Sequence, residues 1–277
     1  MKIIDISYHN GNIDFTKVKK SGVEGVIIRA GYGKGNIDKK FSEYMEKAVA
    51  AGLHIGIYWF SYAYTVDMAK NEAKACLSLI DGFKDHIDLG VYYDWEYDSM
   101  DYAKKNGVNP SKSSITNMNL TFCKLIKAGG FKAGYYANLD YFRNHIDASK
   151  LKEYLFWYAQ YAKNATISLY DIWQYSDKGA VDGINSAVDL NECYIELGKI
   201  KSNKNKNDNA EVYDMPTIKN GSKGKAVKIW QIIIGADIDG DFGKDTLAKT
   251  KAFQKAHNLT VDGIVGTKTW KAGLDSV

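Results

Sequence analysis

The chain has 277 residues, of which 45% are hydrophobic and 25% are charged. This composition is typical of a globular protein, and the length suffices for one large domain or two smaller ones. No apolar segment approaches the length of a membrane span, which argues against membrane insertion. The 3 cysteines and 5 histidines lack the short spacings of zinc sites, so the sequence predicts no metal and no cofactor.

Charge is unevenly distributed along the chain. The net charge of +4 divides into −1 for residues 1–197, with 23 basic and 24 acidic side chains, and +5 for residues 198–277, with 14 and 9. A basic tail behind a nearly neutral front indicates an anionic partner, such as a cell-wall polymer or a nucleic acid. Ordinary solvated lysines would produce the same excess.

Strand-like and helix-like segments alternate through the first two thirds of the chain. Helices are predicted at 14–20, with Asp14 as cap, and at 40–51, 66–80 and 114–128. Apolar runs bounded by turn residues predict strands at 3–7, 25–30, 55–61, 89–96, 132–136, 155–160, 172–175 and 187–189. This order predicts an α/β fold, a small (β/α) TIM-like barrel that is irregular in its later units. A doubly wound sheet is the alternative, but no Gly-rich phosphate loop follows a strand.

The predicted strand at 89–96 ends in two acidic residues. Asp94 and Glu96 are two positions apart, so both side chains should project from one face of the strand and Trp95 from the other. Their Cβ atoms would lie roughly 6.5–7 Å apart, and repulsion at this distance should raise at least one pKa, as a general acid requires. Asp98 and Ser99 follow and are expected to form a loop. Two solvated acids at a strand end are the alternative.

A closed barrel would bring further acids to the same place. The active sites of such barrels lie at the carboxyl ends of the strands. Asp5 lies in the first predicted strand and Asp189 ends the last, which would lie beside the first. We therefore expect Asp5, Asp94, Glu96 and Asp189 to converge on one face. A calcium site competes with this interpretation, although such sites usually draw their ligands from one loop.

Clustered acids without a nucleophilic cysteine, a Ser-His pair or metal ligands indicate cleavage of a glycosidic bond. Glu96, at the tip of the strand between Trp95 and Tyr97, suits the proton donor. Asp94, deeper in the strand, would stay ionised and stabilise positive charge that develops on the sugar.

The composition changes abruptly after the predicted barrel. Residues 198–213 are rich in Lys and Asn and contain too few apolar side chains to order themselves, so they are predicted to be an interdomain linker. Residues 214–277 contain predicted helices at 224–234 and 246–257. This tail is expected to form a small all-α three-helix domain.

A short repeat punctuates the tail. Residues 239–246 and 262–269 both read Asp-Gly-x-x-Gly-x-x-Thr. We expect Asp-Gly turns and a helix cap supplied by a nearby Asp or Thr. Trp230, Phe253 and Trp270 are candidates for a binding groove, with core packing expected for at least two of them.

The chain resembles the glycoside hydrolase family 25 muramidases over residues 1–197. The resemblance rests on Ile4-Asp5-Ile6-Ser7, Tyr93-Asp94-Trp95-Glu96, Gly134-Tyr135-Tyr136, Phe156-Trp157-Tyr158-Ala159-Gln160-Tyr161, Trp173-Gln174-Tyr175 and Val188-Asp189-Leu190-Asn191. The paired motif of the tail is similar to the type 1 peptidoglycan-binding domain. Together the two modules resemble a bacteriophage endolysin or a bacterial autolysin of a Gram-positive, clostridial system.

The resemblance implies a lysozyme activity, hydrolysis of the β-1,4 bond between N-acetylmuramic acid and N-acetylglucosamine. Carried over by position, Glu96 matches the family's proton donor, and its other acidic positions are matched by Asp94, Asp5 and Asp189. Substrate contacts are implied for Tyr58, Tyr136, Trp157 and Gln174. The implied partner is cell-wall peptidoglycan rather than nucleic acid.

Two other functions stay open, a chitinase-like glycosidase and a non-catalytic wall-binding protein. The chitinase signature has a further Asp two residues before the acidic pair, where this chain has Tyr92. The expected carboxylate spacing falls in the inverting range, whereas attack by the substrate's own acetamido group would retain configuration.

The first residues read as a strand and not as a signal peptide. We therefore expect synthesis in the host cytoplasm and action on the wall after release.

Overall fold

The structure is a computed structural model and describes residues 1–197 and 216–275. The chain folds into two compact units, Met1–Ser202 and Asn203–Val277. The linker predicted at 198–213 lies outside the described residues. Among those described, no helix is long and apolar enough to cross a membrane.

The first unit alternates strands with helices over residues 1–197. Its helices are α1 (Phe15–Lys20), α2 (Phe41–Ala50), α3 (Val66–Ile80), α4 (Tyr97–Lys105) and α5 (Lys112–Ala128). Its strands are β1 (Lys2–Ile6), β2 (Gly25–Tyr32), β3 (Asn36–Ile37), β4 (His54–Phe60), β5 (Ile87–Asp94), β6 (Ala133–Asn138), β7 (Leu155–Ala159), β8 (Ile172–Gly179) and β9 (Val188–Cys193). As predicted, Asp14 caps α1, because its carboxylate accepts a hydrogen bond from the Lys17 N–H at 3.1 Å.

Eight of these strands close into a barrel, which confirms the predicted α/β barrel. Parallel pairing runs from β1 through β2, β4, β5, β6 and β7 to β8. Strand β9 is antiparallel to both β8 and β1 and completes the closure. The two-residue β3 pairs with β2 outside the barrel. Only short helical turns, Tyr141–His145 and Ala148–Lys150, are described between β6 and β7.

The direction of β9 differs from our prediction. We expected a parallel strand at 187–189 that ends in Asp189, whereas the strand covers Val188–Cys193 and Asp189 lies near its beginning. Because β9 runs opposite to the other strands, its beginning lies at their carboxyl ends. Asp189 is the register partner of Asp5 in β1. The side chain therefore reaches the expected face, but from a strand of opposite direction.

Strand β5 alternates its side chains between the barrel interior and the helices. Tyr92 is buried in the interior cluster with Ile3, Ile27 and Trp157. Tyr93, on the opposite face, stacks on Phe122 of α5 at 4.5 Å between ring centroids. By the same alternation Asp94 points into the barrel mouth.

The end of β5 also differs from our prediction. The strand stops at Asp94, and α4 begins at Tyr97 with Glu96 at the N-cap position. Asp98 and Ser99, expected in a loop, form the first turn of this helix, where the Ser99 hydroxyl accepts the Glu96 N–H at 3.1 Å. The Glu96 backbone is nevertheless extended, with φ −142° and ψ −157°. The alternation from Asp94 to Glu96 is thus preserved without a strand.

The described part of the second unit contains α6 (Lys225–Ile233), α7 (Lys244–Ala256) and α8 (Thr267–Asp275). Trp230 and Trp270 are buried and meet edge to face at 5.3 Å between centroids, so the core role expected for at least two of the aromatic residues is confirmed. The expected Asp or Thr cap is wrong for α7, because its N-cap position is Gly243, which has no side chain.

Each copy of the repeat instead surrounds a buried glutamine. The Gln231 amide donates to Asp239, to the Asp241 carbonyl and to Thr246, at 2.7, 3.0 and 3.0 Å. The Gln231 carbonyl accepts the Gly240 N–H at 2.9 Å. In the second copy Gln254 makes the same contacts with Asp262, Gly263, Ile264 and Thr269. The Asp, the first Gly and the Thr that the two copies share are thus partners of a glutamine, which lies 8 residues before the Asp-Gly of its own copy.

Candidate active site

The four predicted acids come together at the mouth of the barrel. Asp5 is contributed by β1, Asp94 by the end of β5, Glu96 by the start of α4 and Asp189 by β9. The charge of Glu96 acts on both Asp5 and Asp94, and that of Asp189 acts on Glu96. Trp95 lies on the other side, fully buried, with its indole N–H donating to the Ala63 carbonyl at 2.7 Å. The expected convergence is therefore observed.

Asp5 and Asp189 form a hydrogen-bonded pair at one side of the mouth. Burial raises the pKa of both carboxyl groups, and the interaction between them lowers the pKa of Asp5 and raises that of Asp189. Asn191 donates to Asp5 at 2.8 Å, and Gln174 donates to Asp5 at 2.9 Å and to Asp189 at 3.4 Å. Among the described residues, no group of His, Cys, Asp or Glu is arranged to hold a metal ion.

Burial dominates the protonation of the site. It raises the pKa of Glu96 to about 7, with added repulsion from Asp98 and Asp189. It also raises the pKa of Asp189, to about 8, where the charge of Asp5 adds to the effect. A half-buried glutamic acid with this pKa stays protonated at mildly acidic pH and loses its proton as the pH rises through about 7, so it can serve as a general acid close to neutral pH.

Asp94 departs from our expectation that it stays ionised. Burial, followed by the charges of Glu96 and Asp5, raises its pKa well above the ordinary value, and Arg29 opposes the shift. Asp94 is only 6% exposed, and its Oδ1 atom accepts no hydrogen bond from the described residues. The free site therefore favours a protonated Asp94. Its Oδ1 atom is suited to a donor that a substrate would bring.

Aromatic rings form the floor beneath the acids. Tyr58 and Tyr136 contact Trp157 edge to face, with centroids 5.8 and 4.9 Å apart. The Tyr136 hydroxyl donates to Gln174 at 3.1 Å, which ties this floor to the Asp5–Asp189 pair. Trp157 is only 2% exposed, and its indole N–H donates to Asn191 at 2.8 Å. Its burial favours support of the floor over direct contact with a substrate.

Our prediction missed Arg29, Asn191 and Tyr161. Arg29 follows the apolar run of β2, pairs with Asp38 at 2.8 Å and acts electrostatically on Asp94 and Tyr58. Arg29 directly follows four apolar positions of a predicted strand, and this pattern could have indicated a functional charge there. Asn191 lies two residues after Asp189, on the same face of β9, so strand alternation could have found it. Tyr161, which donates to Gln174 at 3.2 Å, lies outside any strand and gave no such signal.

Comparisons with known families agree with this geometry. Residues 4–184 match the model of the glycosyl hydrolases family 25, and residues 231–272 match that of a putative peptidoglycan binding domain. The chain is 30% identical over 281 residues to the autolytic lysozyme of Clostridium acetobutylicum, an alignment that covers 97% of this chain and 77% of the relative.

Solved structures of similar proteins share the fold of the first unit. The modular autolysin LytC of Streptococcus pneumoniae has a TM-score of 0.61 and 28% identity, covering 69% of this chain and 46% of LytC. The catalytic domain of endolysin ply40, from bacteriophage P40 of Listeria monocytogenes, has a TM-score of 0.60 and 25% identity, covering 70% of this chain and 92% of that domain. The chain thus spans slightly less than half of LytC and nearly all of the phage domain.

Proposed function

Because the chain belongs to glycosyl hydrolase family 25, we propose that it is an N-acetylmuramidase of the endolysin or autolysin type. It hydrolyses the β-1,4 bond between N-acetylmuramic acid and N-acetylglucosamine in peptidoglycan. The observation that carries the proposal is the half-buried Glu96, with a pKa raised to about 7, beside the buried Asp94. A pneumococcal relative, LytC, has been solved in complex with a synthetic peptidoglycan ligand, which supports a cell-wall substrate.

In the proposed reaction Glu96 protonates the oxygen of the leaving sugar. Positive charge then develops at the anomeric carbon, and the Asp94 carboxylate stabilises it after the Asp94 proton has passed to solvent water on substrate binding. For Asp94 this charge and the Arg29 guanidinium offset the burial that favours its protonated form in the free site.

Asp94 is proposed to act through the substrate's acetamido group. Its Oδ1 atom is buried without a partner among the described residues, so it can accept the acetamide N–H. This contact would orient the acetamide oxygen toward the anomeric carbon. Attack by that oxygen displaces the leaving sugar and gives a cyclic oxazolinium intermediate. Water, deprotonated by the Glu96 carboxylate, then opens this ring, and the two displacements together retain configuration. Water activated by the pair, with inversion, is the alternative.

The remaining predicted residues are proposed to shape the cleft. Gln174 holds the Asp5–Asp189 pair and Tyr136 in fixed positions through the hydrogen bonds described above. Tyr58 is half-buried over the floor and is suited to contact a sugar ring. The second unit is proposed to be a three-helix module that binds the wall, in line with its family match.

A chitinase-like activity has less support. The position two residues before Asp94 is Tyr92, which is fully buried and donates its hydroxyl to the Leu89 carbonyl at 2.7 Å. A non-catalytic binding protein would not need a proton-holding glutamic acid at the mouth of the barrel.

The test compares the wild-type protein with Glu96→Gln on purified Gram-positive cell walls. Replacing the proton donor should lower the release of new reducing ends by about 10²- to 10⁴-fold. Glu153→Gln, at an exposed ion pair with Lys127, is the matched control and should keep wild-type activity. Equal activity of the wild type and Glu96→Gln would refute the assignment of Glu96. Release of free amines without reducing ends would indicate an amidase or peptidase.

A further inference from the structure

Residues 94–96 are fastened to a short segment that follows β4, Ser61–Tyr62–Ala63, here called the 61–63 segment. The Ser61 N–H donates to the Asp94 carbonyl at 2.7 Å. The Trp95 indole N–H donates to the Ala63 carbonyl, also at 2.7 Å. The Glu96 N–H donates to the Ser99 hydroxyl at 3.1 Å, and that hydroxyl donates to the Ser61 carbonyl at 2.7 Å. Each of the three residues is therefore tied to this segment, directly or through Ser99.

The 61–63 segment is in turn fastened to Glu72 of α3. The Glu72 carboxyl accepts hydrogen bonds from the Ser61 hydroxyl at 2.7 Å and from the Tyr62 N–H at 3.0 Å. It also accepts one from the Tyr93 hydroxyl at 2.9 Å. The Ser61 hydroxyl accepts the Ala63 N–H at 3.0 Å. One side chain thus orders the segment that holds Asp94 and Glu96.

Glu72 is an unusual choice for its position. It is only 2% exposed, and burial raises its pKa to about 7. A buried carboxyl group costs free energy that an apolar residue of similar size would not. Its described hydrogen bonds go to the 61–63 segment and to Tyr93, the residue directly before Asp94. Stability alone does not explain a carboxyl group here, whereas orientation of the acidic pair does.

We propose that Glu72 is a positioning residue, which fixes the Asp94 and Glu96 backbone through the 61–63 segment. The inference rests on the proposed function of this pair. Glu72 lies in α3 and contacts Tyr93, whose side chain is on the face of β5 opposite to Asp94, so it is not part of the barrel mouth. Its loss would let the start of α4 shift relative to the strand end. A displacement of about 1 Å at a catalytic group can lower the rate by about 10²-fold.

The first test compares Glu72→Ala with Glu72→Gln in the full-length protein. Glu72→Ala should lower kcat on soluble peptidoglycan fragments by about 10- to 100-fold with KM nearly unchanged, because the cleft still binds the sugars. Glu72→Gln should recover most of kcat, since its amide oxygen still accepts the Tyr62 N–H and its amide N–H₂ still pairs with a hydroxyl. Melting curves would verify that each variant is folded at the assay temperature.

Thr116→Val is the matched control. Thr116 is fully buried in α5, donates to the Lys112 carbonyl at 2.7 Å and accepts the Asp147 N–H at 2.9 Å, and neither partner belongs to the 61–63 segment or to residues 94–96. This substitution also removes buried hydrogen bonds, so it should lower stability but leave kcat unchanged. If the kcat of Glu72→Ala is as high as that of Thr116→Val, the positioning role is refuted.

A double-mutant cycle tests the route of the effect. Ser99→Ala breaks the link between Ser61 and the Glu96 N–H. If Glu72 acts through this link, the double variant should lose less kcat than the product of the two single losses. Fully multiplicative losses would refute a shared route. Where Glu72→Ala does not fold, Tyr93→Phe replaces it, because it removes one contact of Glu72 and keeps the ring. If the wild type releases no reducing ends, the proposed function fails rather than this inference.

Discussion

At the scale of single residues, the site consists of four acids whose protonation is set by their surroundings. Asp5 and Asp189 are partners across neighbouring strands, and Asp5 accepts hydrogen bonds from two amide donors, Gln174 and Asn191. Asp94 is buried without a donor on Oδ1, and Glu96 is the half-buried member. The division of roles follows from these surroundings, because a proton donor must be accessible to the leaving oxygen and protonated at the working pH.

The raised pKa of Glu96 predicts how activity depends on pH. The donor is active only when protonated, so activity should fall as the pH rises through about 7. The negative charge of Asp98 helps to keep the proton on Glu96. Asp98→Asn should therefore move the alkaline limb of the kcat/KM profile to lower pH, by roughly half a pH unit for an exposed charge.

Asp101→Asn is the control for this change. Asp101 is an exposed acid on the same helix, and its charge acts on Tyr141 and not on Glu96. The alkaline limb of the kcat/KM profile of Asp101→Asn should coincide with that of the wild type. A shift of the Asp98→Asn limb to higher pH would contradict the electrostatic account of Glu96.

At the scale of elements, the repeat of the second unit makes a prediction of its own. Gln231→Leu leaves the buried Gly240 N–H without its described acceptor, and Gln254→Leu does the same to the Gly263 N–H. An unsatisfied buried group costs about 1–3 kcal/mol. Amide exchange measured by mass spectrometry should therefore accelerate in peptides from 236–246 for the first variant and from 259–269 for the second.

Each glutamine variant serves as the control for the other. Exchange in the copy that keeps its glutamine should change less than in the copy that loses it. Unchanged exchange around the substituted copy would mean that the glutamine does not hold the turn.

The elements also show how far local sequence patterns reach. Alternation along 89–96 predicted that Asp94 and Glu96 share a face, and this holds although β5 ends at Asp94. The direction of β9 could not be predicted, since an apolar strand looks the same in either direction and its pairing is decided by tertiary contacts. Helix α4 was missed because Asp98 and Ser99 favour loops and N-terminal helix turns alike.

The supporting residues were harder to predict than the acids. Glu72 lies in an amphipathic helix, where a single acid resembles the solvated face, and only the fold brings it to Ser61 and Tyr93. Gln231 and Gln254 lie in helices, each 8 residues before the Asp-Gly turn that it holds. This constant spacing is a sequence signal that the shorter repeat motif left out. The acids at strand ends were thus predictable from local patterns, whereas the contacts of Glu72 were not, because they depend on tertiary packing.

At the scale of the whole molecule, the chain combines a hydrolase barrel with a basic second region. Residues 198–277 carry a net charge of +5, from 14 basic and 9 acidic side chains, and residues 231–272 match a peptidoglycan-binding family. We predict that residues 1–197 alone cleave soluble fragments as the full-length protein does but sediment less with insoluble walls. The charge predicts that the difference shrinks at high salt, because screening weakens attraction between exposed charges.

A sedimentation assay with purified walls measures this difference, and circular dichroism would verify that the shortened chain is folded. Glu96→Gln in both lengths prevents digestion of the walls during the assay. Equal sedimentation of the two lengths would show that the second region does not contribute to wall binding.

The central claim is the bond that is cut, and the identity of the new reducing sugar tests it most directly. Walls digested by the wild-type protein are reduced with borohydride, hydrolysed in acid and analysed for sugar alcohols. Cleavage after N-acetylmuramic acid, with Glu96 as the proton donor, predicts muramitol that increases with digestion and is absent for Glu96→Gln. Glucosaminitol in its place, or muramitol released equally by Glu96→Gln, would contradict the account.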